Sequence, residues 1–323
     1  MTVSAKAPVR INGQLVAAYK IETLSGDPAT SYVDDTGETL MSIVALDMQV
    51  RREPKAVALA ASTQKTIDLA DAIGTRPTGI SLEDIANKAQ VAVYELSHVT
   101  RPLPPTDSVQ RIEEIRQIQP STDTSKTLKV TITNGPLPDG ATTPVFPRWS
   151  AAPERLRVFL KPTLYAPCDD PALLALARKT IGGEKDAARV ADLLVRFVNR
   201  AIKPDASMAA ARTARDIQKD PRGVCRDYTT YFATLARSVG LPTKECAGLV
   251  YDIGSGLFVY HAWPEVWIGT DSANKDRWVA VEPTWGAPFA SATHLKLVEG
   301  ADLDITKVAA DMGKYAIKVI SAQ

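Results

Sequence analysis

The first half of the chain alternates apolar and polar positions in a way typical of short strands joined by turns. Between residues 14 and 133, apolar stretches are brief and are separated by polar or glycine-containing segments. One stretch places Leu128, Val130 and Ile132 on one face of a strand. Residues 33–39 form a polar turn between two apolar stretches, which predicts a hairpin. The first half is therefore predicted to be β-rich.

Residues 134–152 differ in composition from the sequence on either side. They are rich in proline, threonine and glycine, and such a composition is typical of a loop or linker. We therefore predict a domain boundary here, with a β-rich N-terminal domain at residues 1–150 and a second domain at residues 151–323.

After about residue 153, apolar positions recur at the spacing of helices. In the last helical stretch, Tyr228, Phe232 and Leu235 share one face of an amphipathic helix. Gly240 follows as a natural end for that helix, because glycine readily adopts the backbone conformation that terminates helices. Helices are predicted over residues 170–181, 184–202, 208–217 and 226–239.

Beyond Gly240 the apolar positions follow a period of two, which indicates strands. Strands are predicted over residues 244–251, 257–268 and 277–283. A run of helices followed by a run of antiparallel strands is typical of an α+β fold. We thus predict a C-terminal domain of helices packed on an antiparallel sheet, preceded by the β-rich N-terminal domain.

Composition and charge narrow the class of protein. Of the 323 residues, 45% are apolar and 23% are charged, as in ordinary globular proteins. The 38 basic residues nearly balance the 37 acidic ones, which argues against nucleic acid as a partner. The N-terminal segment shows no apolar run long enough for a membrane span and no signal-peptide pattern. Localisation stays open, because the mature form of an exported protein would look the same.

The three cysteines are too few for a disulfide framework. Whether Cys168 and Cys246 pair with each other is open. Neither the cysteines nor the three histidines cluster at the spacing of metal ligands, so we predict no metal site and no cofactor.

Cys225 stands immediately before the last predicted helix. A thiol at this position faces unpaired backbone N–H groups and the positive end of the helix dipole. Such sites lower a cysteine pKa from about 8.5 into the range of roughly 3.5–7.5, and the same N–H groups can hold an oxyanion. Gly223 allows a close backbone approach just ahead of the thiol. Cys225 is therefore a candidate nucleophile, with a buried structural cysteine as the alternative.

His261 and Glu282 are the candidate partners of Cys225. His261 lies on a predicted strand and could serve as general base. Glu282 lies on the next strand, where it could accept a hydrogen bond from the other imidazole nitrogen and fix the tautomer. Taken singly, a strand histidine is more often structural, and a glutamate at a strand end is more often a solvated charge.

Four short segments together resemble the transglutaminase-like superfamily over roughly residues 170–300. The first three are GVCRDY at 223–228, YHAWPEV at 260–266 and WVAVEPT at 278–284; ATHL at 292–295 is similar to a segment that follows the core in bacterial members. The resemblance implies a papain-like fold with a Cys–His–Asp triad that supports transglutamination, deamidation or peptide hydrolysis. It assigns Cys225 as nucleophile and His261 as base, and it places Glu282 where the family usually has aspartate. It gives His294 no chemical role.

The expected function is that of a thiol-dependent amide hydrolase or acyltransferase acting through a Cys225 thioester. The expected substrate is a protein or peptide carrying a carboxamide or peptide bond. Hydrolysis is favoured over transamidation, because no acceptor-binding module is recognisable. The alternative is a noncatalytic binding or scaffold protein that keeps the fold, for which glutamate at 282 and the β-rich N-terminal region leave room. The oligomeric state is open.

Overall fold

The computed structural model describes residues 2–11, 13–23, 29–43, 49–58, 74–100, 102–115, 125–136, 151–207, 211–303 and 313–323. The chain forms two compact units, one of residues 1–68 with 305–312 and one of residues 69–304 with 313–323. Most of the loop in which the boundary was predicted, residues 137–150, lies outside the described residues. No helix in the described ranges is long and apolar enough to cross a membrane.

The first unit is built on a six-stranded antiparallel sheet. Its strands run in the order β1-β3-β4-β5-β6, and β2 pairs with β3. The predicted hairpin at residues 33–39 is present, and Asp34 Oδ1 closes its turn by accepting the N–H of Thr36 (2.9 Å) and of Glu38 (3.0 Å). The elements are β1 (Thr2–Val3), β2 (Ala7–Ile11), β3 (Gln14–Thr23), β4 (Ala29–Val33), β5 (Thr39–Ile43), β6 (Gln49–Arg51) and α1 (Lys55–Ala58).

In its described residues, the second unit holds a five-stranded sheet, five α-helices, a four-stranded sheet and a short two-stranded ladder. The five-stranded sheet has the order β7-β17-β8-β10-β9. Its strands are β7 (Thr78–Gly79), β8 (Val91–Val99), β9 (Gln110–Ile115), β10 (Lys126–Thr133) and β17 (Ala316–Ala322). Along β8 the side chains alternate between buried and partly exposed, with Ala92, Tyr94 and Leu96 inside, as the period of two requires.

Three helices of the second unit begin at capping side chains, as expected where backbone N–H groups lack partners. Asp170 caps α3, Asp186 caps α4, and Thr213 forms a capping box with Asp216 at the start of α5. The helix predicted at 208–217 is observed over Ala214–Lys219 and is therefore shorter than predicted. Residues 208–210 lie outside the described ranges. The helices are α2 (Glu154–Arg157), α3 (Pro171–Ile181), α4 (Ala187–Ala201), α5 (Ala214–Lys219) and α6 (Cys225–Ser238).

The four-stranded antiparallel sheet follows α6 and packs against it. Its order is β15-β14-β13-β16. One apolar core joins α3, α4 and α6 to the sheet, with Leu194, Phe232 and Val266 fully buried in it. The strands are β13 (Thr243–Asp252), β14 (Leu257–Thr270), β15 (Asp276–Ala280) and β16 (Leu295–Gly300), and a short parallel ladder of β11 (Lys203–Pro204) and β12 (Arg222–Gly223) precedes α6. The mixed helix-and-sheet architecture confirms the predicted class.

Two buried amide side chains bond the five-stranded sheet to this four-stranded sheet. Asn134 donates from Nδ2 to the carbonyl of Ala280 (3.0 Å) and accepts the N–H of the same residue (3.1 Å). Gln110 makes the equivalent pair of bonds with the backbone of Lys296 (both 2.8 Å). The described residues between 75 and 136 therefore share a compact unit with the helices, and the two units have bounds that differ from the predicted 1–150 and 151–323.

Pro264 lies in β14, an interior strand, although proline is normally confined to edges and bulges. Its carbonyl accepts the N–H of Val281 (3.0 Å), one residue beyond the end of β15. Because the nitrogen and the carbonyl of one strand residue point to the same side, the missing N–H of Pro264 faces the end of β15. The sheet therefore loses no ladder bond to β13.

Candidate active site

Cys225 is the first residue of α6, and the Asp227 side chain caps this end of the helix. Asp227, in the first turn, accepts the backbone N–H of Val224 at Oδ2 (2.9 Å) and the Arg212 Nε–H at Oδ1 (3.1 Å). A Cβ atom at Gly223 would lie 2.6 Å from Asp227 Cβ, so only glycine leaves room for this cap. The predicted close approach at Gly223 is thus to the Asp227 side chain.

Cys225 is a free, partly buried thiol that contacts His261. Burial by itself would raise the pKa of the Cys225 thiol. The hydrogen bond and charge of His261, together with the N–H of Ala262, outweigh burial and lower that pKa. The lowered pKa favours the thiolate, which is the nucleophilic form of cysteine.

His261 lies in β14 and is paired with Gly248 of β13. Its Nε2 lies 2.8 Å from Oε2 of Glu282. Burial by itself would lower the pKa of His261, but the Glu282 charge and the contact with Cys225 raise it to about 10. The raised pKa favours the imidazolium form of His261, which lies between the Cys225 thiol and the Glu282 carboxylate.

Glu282 follows β15 rather than lying within it, because the strand ends at Ala280 and Glu282 pairs instead with Ala287 across a turn. Its side chain is 1% exposed. Oε1 accepts the N–H of Thr284 (2.8 Å), and Oε2 faces His261. Burial would raise the pKa of Glu282, but the charge and hydrogen bond of His261 lower it. The three residues singled out in the sequence therefore lie together in the order Cys225, His261, Glu282.

His294 is a fourth member of the cluster that the sequence did not identify. It precedes β16, and its Nε2 lies 3.1 Å from the same Glu282 Oε2 that faces His261. Its Nδ1 lies 3.0 Å from the carbonyl oxygen of Ser291. The ring is buried, and burial lowers the pKa of His294. The only signal in the sequence was its place in the ATHL segment.

Two indole rings hold the His261 imidazole in place. Trp285 stacks on it with ring centroids 4.6 Å apart and planes 2° apart, and Trp285 itself is 55% exposed. Trp263 lies roughly parallel to it at 6.3 Å and meets His294 edge-on at 5.1 Å. An indole face stabilises a cation within about 6 Å of its ring centroid, so the contact with Trp285 favours the imidazolium form of His261.

Residues 174–283, which carry all three predicted site residues, match the model of the transglutaminase-like superfamily. The chain contains a transglutaminase-like domain. The predicted resemblance is thereby confirmed.

Three solved structures show how the chain compares with known folds. A candidate cysteine protease from Cytophaga hutchinsonii is 18% identical, with a TM-score of 0.45 over 70% of this chain and 83% of that one. The periplasmic domain of TgpA from Pseudomonas aeruginosa is 16% identical, with a TM-score of 0.36 over 65% and 95%. Red sea bream transglutaminase is 10% identical, with a TM-score of 0.26 over 60% and 46%. No curated protein sequence matches the chain.

A cavity of about 400 Å³ adjoins the transglutaminase-like site on the side of Glu282 and His294. Its walls combine aromatic rings, chiefly Trp285 and Phe289, with the carboxylate of Asp252.

Among the described residues, two clusters of side chains have ligand atoms close enough to hold a metal ion. In the first, the nitrogens of His261 and His294 both point at one Glu282 oxygen rather than at a common empty point. In the second, Glu265 and Glu299 already bind the buried Lys296 ammonium (2.8 and 2.7 Å), beside Cys246. A cation at either place would have to displace existing contacts.

The other two cysteines are buried and unpaired. Burial raises the pKa of Cys168 to about 11 and that of Cys246 well above its ordinary value. Both are therefore protonated at neutral pH, whereas the pKa of Cys225 is lowered.

Proposed function

We propose that the transglutaminase-like domain is a thiol-dependent amide hydrolase or acyltransferase in which Cys225, His261 and Glu282 form the catalytic triad. The observation that carries the proposal is the continuous contact from the thiol through the imidazole to a buried, fully hydrogen-bonded carboxylate. Members of the superfamily are typically cysteine-dependent enzymes, which agrees with this assignment.

The first half-reaction transfers the acyl group to sulfur. The Cys225 thiolate attacks the carbonyl carbon of a carboxamide or peptide bond, and the new oxyanion is stabilised at the N-terminus of α6, where the Cys225 N–H is available. His261 then gives its proton to the leaving nitrogen, the C–N bond breaks, and a thioester remains.

The second half-reaction releases the acyl group. Neutral His261 takes a proton from water or from an amine, which attacks the thioester carbon, and the C–S bond breaks to regenerate the thiolate. Glu282 keeps its negative charge throughout and holds His261 in one orientation. Water as acceptor gives hydrolysis or deamidation, and an amine gives a cross-link. We favour water as the acceptor and a protein or peptide as the substrate.

The test is a product assay on the full chain with an unfolded protein such as casein. Three products are followed together: new N-termini, released ammonia and incorporation of a fluorescent primary amine. We expect at least one product from the wild type and none above background from Cys225→Ala, because no other activated thiol is present. Cys168→Ser serves as the matched control and should retain activity. Equal turnover by wild type and Cys225→Ala, or no product from the wild type, would contradict the proposal.

A further inference from the structure

The structure places two imidazoles on a single carboxylate oxygen. His261 Nε2 and His294 Nε2 lie 2.8 and 3.1 Å from Glu282 Oε2, while Oε1 is occupied by the Thr284 N–H. All three side chains are buried. A carboxylate oxygen can accept from both rings, but it cannot donate to either while it is ionised.

The partners of His294 determine where its protons lie. The Ser291 carbonyl can only accept, so the 3.0 Å contact at Nδ1 calls for an N–H there. The Glu282 contact calls for a second N–H at Nε2, so both contacts are satisfied together only in the imidazolium. Burial opposes that charge and lowers the pKa of His294.

The choice between the two contacts follows from their strength. When the ring is neutral it keeps one proton, and a hydrogen bond to a carboxylate is stronger than one to a neutral carbonyl. The proton therefore stays on Nε2, and Nδ1 loses its bond to Ser291. In either charge state His294 donates to Glu282.

Resting on the proposed function above, we infer that His294 is a positioning residue that fixes the Glu282 carboxylate by donating from Nε2 to the oxygen that orients His261. Glutamate has one more rotatable bond than aspartate, and a carboxylate held only by Thr284 and His261 would keep part of that freedom. His294 restricts it through a second hydrogen bond to the same oxygen, from a direction different from that of His261. The ionisable groups around this contact are Glu282 and His261.

His294 is held firmly enough to serve this role. Its ring packs edge-on against Trp263, and Trp285 lies 5.8 Å away at 66°. The neighbouring strand β16 is held by Lys296, whose ammonium bonds Glu265 of β14 at 2.8 Å. The ring therefore reaches Glu282 from the residue just before β16, a strand that Lys296 anchors to β14.

The test compares the rate of iodoacetamide alkylation of Cys225 at pH 7 in wild type, His294→Gln and His294→Leu. Leucine fills space without a donor, whereas glutamine keeps an N–H that can reach Glu282. We expect His294→Leu to react about 10-fold more slowly, as for the loss of a hydrogen bond to a charged group, and His294→Gln to keep most of the wild-type rate. Equal rates in all three, or a glutamine variant as slow as the leucine variant, would overturn the inference.

A second measurement uses only the wild-type protein and so does not depend on the folding of a variant. With only three histidines in the chain, ¹⁵N NMR of the labelled wild type reports each ring nitrogen, and we expect a proton on His294 Nε2 at pH 7. A lone pair there would overturn the inference. Because alkylation needs no substrate turnover, the two proposals can fail separately. If Cys225 of the wild type is alkylated no faster than an ordinary thiol, the triad is contradicted. If Cys225 is alkylated fast in both the wild type and His294→Leu, only the role of His294 is contradicted.

Discussion

Replacing His261 by asparagine is expected to slow the alkylation of Cys225 by iodoacetamide at pH 7 by roughly 10- to 100-fold, because an ordinary thiol is only a few per cent thiolate at that pH. In the wild type, His261 opposes the effect of burial on the Cys225 thiol and lowers its pKa. Without the imidazolium, burial dominates and raises the pKa, so the thiolate population at pH 7 falls. The rate is measured by peptide mapping after timed labelling.

His98→Asn is the matched control for this substitution. His98 is exposed and has a backbone φ of 62°, a conformation that asparagine tolerates well. The control should alkylate at the wild-type rate. Equal alkylation of Cys225 in His261→Asn and the wild type, with both folded, would contradict the thiolate–imidazolium pair.

Glu282→Gln is expected to reduce kcat/KM by on the order of 10²- to 10⁴-fold, in line with the loss of the orienting carboxylate in other triads. An amide offers one acceptor oxygen, and its NH₂ group would confront an imidazole N–H. The charge of Glu282 also raises the pKa of His261 to about 10. Without that charge, burial lowers the pKa of His261, and the imidazolium and the thiolate are lost together at pH 7.

The same substitution has a pH-dependent effect on stability. The pKa of Glu282 is lowered in the folded protein, so its ionised form contributes stability above the unfolded value of about 4.3, and this contribution is lost as the pH falls through the folded pKa. The difference in unfolding free energy between the wild type and Glu282→Gln should therefore shrink on acidification. A difference that is unchanged between pH 7 and pH 3 would contradict the ionised state of Glu282.

The substitution Glu282→Asp distinguishes a catalytic triad from a triad that has lost its activity. Aspartate is one methylene shorter and cannot keep the bonds of Glu282 to His261, His294 and the Thr284 N–H from the same backbone position. We therefore expect lower activity in this variant, although aspartate is the residue usual in the family. A rise in activity would instead favour the noncatalytic alternative, in which glutamate at 282 marks a lost function.

Local sequence patterns were sufficient to predict the longer helices and three of the strands in the C-terminal half of the chain. Helices α3, α4 and α6 have strong 3.6-residue periodicity and clear capping residues, and strands β13 and β14 have apolar runs bounded by turns. Strands β16 and β17 were not predicted. Strand β17 pairs with β8 more than 200 residues away, and pairing over such a distance leaves no local pattern.

The position of Cys225 at a helix N-terminus could be predicted because it depends only on adjacent residues. The alignment of His261 with Glu282 could be expected only in part, since it depends on where β15 ends. The role of His294 could not be predicted, because it reaches Glu282 from a neighbouring loop through tertiary packing. Trp285 was missed for the same reason, because no local sequence pattern indicates that an exposed tryptophan will stack on a histidine.

The most direct test of the triad is the site of acylation by p-nitrophenyl acetate, a small activated ester that transfers its acetyl group to a reactive thiolate and releases p-nitrophenolate. The reaction at pH 7 is stopped in acid, and the masses of the intact protein and of its peptides are measured by mass spectrometry. The triad predicts one acetyl group per chain, located on Cys225, formed rapidly in the wild type and far more slowly in His261→Asn. Acetylation spread over lysines, or a Cys225 that reacts no faster in the wild type than in His261→Asn, would contradict it.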